Sequence, residues 1–363
     1  FPLASRDGQV EFRPSPKIYG RQREIALLEA ATQRITAGDP ALVSIAGYSG
    51  VGKSAIVSEF QRLRDPDAAR FVSGKFQQYK KDIPYFAIVE AFEQLFDLLL
   101  LSEERVLDDF RAAFAREVGD QGRILTSIFP KLALIVGEQP PVEHLVGEEA
   151  ENRFNYLFLK LVHIVALPER PLILFLDDLQ WTDLVSLNVL RALLRGESGH
   201  LLLVVSYRSN EVDQHHPFQQ FLDEVAASET KLHEMAVNNL TLDDVAQLVE
   251  DSVGGENRAL AEVVHGKTHG NAFFVHQVLK GLADRGLFER DAETGRWNID
   301  VDEVGNLQVS RNVVEFMQTR LLRLPTEVRD LVRVIGAVGH RANLEVLSVI
   351  TDHPVTQILD TLE

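Results

Sequence analysis

Residues 47–54 read Gly-Tyr-Ser-Gly-Val-Gly-Lys-Ser and match G-x-x-x-x-G-K-[ST] in full. The chemistry that asks for these types at this spacing is the cradling of phosphate. Glycines at 47, 50 and 52 let the backbone curl until successive N–H groups converge on phosphate oxygens. A helix opening at Lys53 aims its positive end at the same point. In that arrangement Lys53 neutralises the β- and γ-phosphates and the Ser54 hydroxyl ligates Mg²⁺. Such a lysine is expected to face solvent when the cradle is empty. An ordinary glycine-rich turn capping a helix is the competing reading. The required context argues against it: ALVSIA (41–46) reads as a buried strand and KSAIVSEFQRL (53–63) as the following helix.

The second candidate element is Leu-Ile-Leu-Phe-Leu-Asp-Asp at 172–178, an apolar strand ending in two carboxylates. A parallel strand delivers its carboxyl end to the face where a phosphate loop sits. Asp177 there can hold Mg²⁺ and Asp178 can orient an attacking water. Successive side chains on a strand face opposite ways, so both serve the site only if the strand ends at Asp177 and Asp178 begins the turn. Asp178 as a cap of the next helix is the alternative. LLLVVSY (201–207) is a third strand, ending at Arg208, which can sense a γ-phosphate bidentately or make a surface ion pair. Asp213, His215 and His216 are a weak metal candidate beside a solvated loop, since tandem histidines diverge. Trp181 reads as packed. Arg153 can reach a phosphate or pair with a neighbouring helix.

These residues need a scaffold, and the composition bounds it. The chain has 363 residues, 45% hydrophobic and 25% charged, which fits a soluble protein of two or three domains. Its apolar runs are too short to span a bilayer. With 0 cysteines it carries no disulfide or thiolate site, in keeping with a cytoplasmic location. A net charge of −17 disfavours nucleic acid or an anionic membrane as partner. The missing initial methionine and the unfinished end read as a piece of a longer polypeptide.

The periodicity gives four regions. Residues 1–17 read as linker. Residues 18–237 read as an α/β nucleotide-binding domain of parallel strands covered on both faces. It includes a helix within IYGRQREIALLEAATQRITAGDP, ended by Gly38 and Pro40 (Ile25, Leu28, Ala31 and Ile35 at helical spacing), the strand RFVSG, a mostly helical stretch from Pro84 to about Leu167, and the run LHEMAV (232–237) as a further buried strand. Residues 238–308 read as three helices and a hairpin turning at Glu293-Thr294-Gly295, and residues 309–363 as further helices.

GYSGVGKS, LILFLDDLQWTD and VVSYRSNEVDQHHPF together resemble the STAND signalling ATPases, relatives of the AAA+ and origin-recognition ATPases. IYGRQREI is similar to that group's adenine-side motif, which implicates Ile18, Tyr19, Gly20 and Arg21. KTHGNAFFVHQVL resembles its helical-domain motif GNPFF, which implicates Gly270, Asn271 and Ala272. The last departs from the motif: alanine replaces the proline that packs near the base, losing the ring contact and the fixed φ. The resemblance implies a P-loop NTPase (ASCE type) sheet ordered 5-1-4-3-2, then a helical lid, then a winged-helix domain begun at Val309. It implies binding of ATP or ADP with Mg²⁺, held by Ser54 and Asp177. The loop residues Gly47, Tyr48, Ser49, Gly50, Val51, Gly52, Lys53, Ser54 and Ala55 would line the site, with Lys53, Asp177, Asp178 and Arg208 acting on the γ-phosphate.

GKFQQYKKDIPYFAIVEAF and ENRFNYLF look like a subgroup found inside large bacterial signalling proteins, where a Ser/Thr protein kinase precedes and GAF and histidine-kinase modules follow. The resemblance thus implies a slowly hydrolysing regulatory switch with flanking modules of its own polypeptide as partners, and self-association in the ATP state. A non-catalytic nucleotide-binding scaffold and a DNA-binding regulator are the rivals. Residues 309–363 carry about six basic and seven acidic residues, unlike a phosphate-tracking surface.

Overall fold

In the computed structural model, residues 12–301, 304, 321–322, 324–338 and 343–362 are described, apart from 66, 82, 144–145, 196–198 and 229. The apolar runs form one parallel sheet of β1 (Ala41–Ala46), β2 (Arg70–Lys75), β3 (Leu172–Asp177), β4 (Leu201–Tyr207) and β5 (Lys231–Ala236), in the order β2-β3-β4-β1-β5. Read from the other edge this is the 5-1-4-3-2 order that the resemblance implied.

Period-two alternation splits the strands between two cores. Leu42, Leu172, Leu174, Leu203 and Val205 face one side. Val43, Ile45, Ile173, Leu202 and Val204 face the other, under α1 (Gln22–Thr36) and α2 (Lys53–Leu63). The first side is covered by α3 (Phe86–Leu100), α4 (Glu104–Val118), α5 (Gly122–Ile128), α6 (Pro130–Val136) and α7 (Glu148–Val165), together with α8 (Leu184–Arg195) and α9 (Pro217–Ala226). Its centre is a stack of phenylalanines: Phe158 lies 4.7 Å from Phe92, 5.6 Å from Phe154 and 5.7 Å from Phe129. These buried rings set the helices that hold β2 and β3 at the site.

β5 departs from the expected strand buried on both faces. It is an edge strand with β1 as its neighbour, and Met235 is its one buried residue. Lys231 and Glu234 keep that edge charged and wet.

Beyond the sheet, α10 (Leu242–Val253), α11 (Arg258–Thr268) and α12 (Ala272–Ala283) form a separate core with a small hairpin, β6 (Glu289–Arg290) and β7 (Trp297–Asn298). A capping box opens α10: Thr241 Oγ1 accepts from the Asp244 N–H, and Asp244 Oδ2 accepts from the Thr241 N–H. Caps of this kind contribute about 1 kcal/mol.

Residues 12–19, expected as linker and as the edge of the α/β domain, join this second core instead. Phe12 stacks on Phe288 with centroids 3.7 Å apart and meets Trp297 edge-on. The Ser15 N–H donates to Ser252 Oγ, and Lys17 pairs with Asp251 at 2.8 Å. The physical reason is apolar: Phe12 and Tyr19 bury themselves against the helices and hairpin.

Helices α13 (Thr326–Val338), α14 (Leu344–Thr351) and α15 (Val355–Leu362) pack around Leu331, Leu347 and Ile358. Residues 1–11 of the expected linker, and residues 305–320, where the expected winged-helix segment begins, lie outside the described residues. Among the described residues no helix is long and apolar enough to cross a membrane.

Candidate functional site

β1 ends at Ala46 and α2 begins at Lys53, and residues 47–52 make the turn between them. Gly50 and Gly52 adopt φ values of 81° and 102°, a region that side-chain-bearing residues avoid. The turn opens onto a cleft of about 500 Å³ between the sheet and the α10–α12 unit, a normal volume for a small-molecule site.

Asp177 ends β3 and Asp178 leaves it at φ 57°, so the strand stops where both carboxylates turn into the cleft. Asp178 makes no side-chain cap; the amino end of α8 is served by Asp183, whose Oδ1 accepts from the Ser186 N–H. A non-glycine residue held in this backbone region is stored strain of the kind found where a side chain must be aimed.

The carboxylates are densely held. Ser54 Oγ donates to Asp177 Oδ2 at 2.9 Å, Ser206 Oγ donates a short bond to Asp177 Oδ1, and the Asp178 N–H donates to the same Oδ1. Lys75 Nζ lies 2.8 Å from Asp178 Oδ2 and 3.3 Å from Asp177 Oδ2. Gln180 Nε2 donates to Asp178 Oδ1 at 3.1 Å, while Gln180 Oε1 accepts from the Arg208 N–H. Burial pushes the Asp178 carboxyl up, but its bond and charge contact with Lys75, helped by Gln180 and Arg208, leave it lowered in sum. Arg208 lines the same cleft, with Nε 3.7 Å from Asp178 Oδ1 and its other arm on Glu211 at 2.7 Å.

Lys53 corrects one expectation. Its side chain is only 7% exposed, and Nζ donates to the carbonyls of Gly47 and Tyr48 at 2.8 and 3.0 Å. Burial is the first cause of a lowered pKa, ahead of the opposing pull of Asp177 and Asp178. The loop therefore ties down its own lysine, while Tyr48 turns its ring to solvent.

The opposite end of the cleft is lined by Ile18, Tyr19, Leu240, Leu248, Ala272, Phe273 and His276. Tyr19 has its hydroxyl 2.6 Å from Ser15 Oγ and 2.7 Å from Asp251, and burial pushes it up to about 12. Arg21 is buried, and its guanidinium donates to the carbonyls of Val51 and Asn238, joining the phosphate-loop turn to the connection between the two units. Of the remaining candidates, Gly20, Gly47, Tyr48, Gly270 and Asn271 back the cleft without lining it. Asn271 caps α12 through Oδ1 on the Phe274 N–H and donates from Nδ2 to the Ser49 carbonyl at 3.0 Å. The Phe273 N–H donates to the Gly50 carbonyl at 2.9 Å. Two bonds thus join the lid to the loop backbone.

Five other candidates, Asp213, His215, His216, Arg153 and Trp181, fall outside the cleft. His216 caps α9 with Nδ1 accepting from the Phe218 N–H, which leaves Nε2 to donate to the Gln180 carbonyl. Arg153 donates to Gln121, a helix-pair contact. Trp181 packs at the rim of the larger core under the Lys81 ammonium. Sequence reasoning missed Lys75, Ser206, Gln180, Phe273 and His276. Lys75 gave no signal of its own, since only the pairing of β2 with β3 puts it beside Asp177.

The model of the AAA ATPase domain family matches residues 17–205. Hybrid signal transduction histidine kinase G of Dictyostelium discoideum is 25% identical, an alignment that takes in 95% of this chain and 12% of that protein. Among solved structures, a Signal Transduction ATPase with Numerous Domains protein with a tetratricopeptide repeat sensor from Pyrococcus horikoshii aligns with TM-score 0.48 at 11% identity, over 97% of this chain and 40% of that one. The Walker-type ATPase of Pyrococcus abyssi aligns with TM-score 0.46 at 13% identity, over 96% and 91%.

Proposed function

The chain belongs to the AAA ATPase domain family, and from that premise we propose that it is an ATP-binding regulatory switch that hydrolyses slowly within a larger signalling polypeptide. The observation that carries this reading is the double contact of the lid with the phosphate loop, through Asn271 to Ser49 and Phe273 to Gly50. A loop that rearranges around phosphates moves those carbonyls, so occupancy is felt directly by the lid.

Ser54 and Asp177 supply the hard oxygen donors that suit Mg²⁺, and their 2.9 Å contact fits a shared ion. When bound, that ion supplies charge neutralisation across the phosphate oxygens. The chain's own residues do the rest. Lys53 exchanges the Gly47 and Tyr48 carbonyls for phosphate oxygens, Asp178 orients the attacking water, and Arg208 meets charge on the terminal phosphate. The flanking modules are kinase-type signalling domains, in keeping with the name of the Dictyostelium relative. Residues 326–362 belong to the winged-helix segment expected over 309–363, whose contacts are within that polypeptide. The ATP state favours lid closure or self-association, and hydrolysis ends it.

The test is to identify the nucleotide retained on purification, with and without Mg²⁺, in the parent and in Lys53→Ala. Retained ATP or ADP in the parent, absent from the variant, supports the reading. A guanine nucleotide, or equal retention by both, counts against it.

A further inference from the structure

Lys75 belongs to neither the phosphate-loop motif nor the carboxylate strand. It is the last residue of β2 and stands in ladder register with Asp177, so its side chain overhangs the edge where β3 ends. The strand end is pinned from behind, because the Lys75 N–H donates to Glu90 Oε2 at 2.9 Å. From that anchor Nζ reaches both carboxylates, at 2.8 Å to Asp178 Oδ2 and 3.3 Å to Asp177 Oδ2. The Asp177 oxygen it touches is the one that accepts from Ser54 Oγ, so an ammonium and the two metal-donor groups share one corner of the cleft.

Nearby cations set the balance. Lys53 is buried behind the loop and Arg208 stands 3.7 Å from the other oxygen of Asp178. A free divalent ion entering this corner meets the two carboxylates together with the cationic groups of Lys53, Lys75 and Arg208. A nucleotide triphosphate brings its own negative charge and reverses that balance.

We propose that Lys75 is the resident counter-cation of the Asp177–Asp178 pair, holding both carboxylates in position and excluding free divalent metal until nucleotide arrives. This rests on reading the cleft as an ATP site. Lysine suits this role, because an ammonium is a compact point charge on a flexible stem, and this side chain is 45% exposed, so it can leave. Like-charge exclusion by one such contact in a half-open site is worth about one pKa unit, or about tenfold in affinity.

The test titrates Mn²⁺ into the 363-residue chain without nucleotide and follows the free ion by electron paramagnetic resonance. Lys75→Met should bind Mn²⁺ about tenfold more tightly than the parent. Lys75→Arg should stay near the parent, and adding Asp177→Asn to Lys75→Met should abolish the gain. Lys75→Gln gives the same comparison where methionine disturbs β2. A fluorescent ATP analogue, titrated in parallel, separates two failures. Equal Mn²⁺ affinity in Lys75→Met and parent, with ATP binding intact, overturns the counter-cation role and leaves the ATP site standing. A parent that binds no ATP overturns the site, and the inference with it.

Discussion

At the phosphate end of the cleft the chain answers its own charges. Asp177 accepts from Ser54, Ser206, Lys75 and the Asp178 amide, and Lys53 is held by the loop's own carbonyls. At the other end Ile18, Leu240, Leu248, Ala272 and Phe273 present hydrocarbon, with His276 as a polar ring among them. The first end is preorganised by hydrogen bonds at the ends of buried strands, and removing one group there should cost orders of magnitude. The second is assembled from the α10–α12 lid, a strap of residues 12–19 and the connection between the two units, so single changes there should cost little and act on lid position.

The largest expected effect is at Asp178. Asp178→Asn keeps the bond geometry but loses the carboxylate proposed to orient water, so turnover should fall about 10²- to 10⁴-fold. ATP affinity should stay within about threefold. Steady-state hydrolysis beside equilibrium binding checks both, and turnover equal to the parent would leave Asp178 with the backbone turn alone.

Next is Lys53→Ala, which should weaken ATP about 100-fold or more by removing a charge-assisted phosphate contact. The folded state should survive, because among the described residues the buried amine donates to carbonyls of its own loop. Calorimetric titration and a thermal melt read the two quantities separately. Strong unfolding would reassign Lys53 to holding the turn.

The base end gives a smaller, opposite effect. Ala272 is the first residue of α12, and Asn271 before it has ψ 117°, the backbone that a following proline requires. Ala272→Pro should stabilise the chain by about 0.4–1 kcal/mol through the unfolded state and tighten ATP severalfold by restoring a ring contact. Looser ATP binding would show that the alanine is accommodated by a different lid position.

The smallest effect is in pH. Burial lowers His276 below its ordinary 6.5. Between the folded and unfolded pKa values the unfolded chain therefore binds more protons, so stability rises with pH there and is lost as pH falls below about 6.5. Urea melts from pH 7.5 to 5.5 should show this slope, and His276→Gln should flatten it. An unchanged slope in the variant would place the titrating group elsewhere.

Much of the phosphate end is legible in the sequence because chemistry dictates residue types at short, fixed spacing. Gly47 to Ser54 needs no partner to be read, and Asp177, Asp178 and Arg208 each end an apolar run. Lys75 and Ser206 are not legible in role, since their contacts depend on which strands neighbour β3 and in what register. Gln180 acts through the short turn after Asp178 and gives no pattern of its own. The strap reads as linker because Phe12 sits in a polar, proline-containing stretch and finds its partners, Phe288 and Trp297, far along the chain. From its run alone β5 reads as a strand covered on both faces; the order implied by the resemblance puts it at the edge, where Lys231 and Glu234 are wet.

The central claim is that the phosphate end reports its occupant to the lid, and the Phe273 amide, 2.9 Å from the Gly50 carbonyl, is its reporter. Hydrogen exchange at that amide, measured on Asp178→Asn with Mg·ATP and then with Mg·ADP, should differ at least about tenfold, the slower exchange being with ATP. Identical protection in the two states, with both nucleotides bound, would contradict the account.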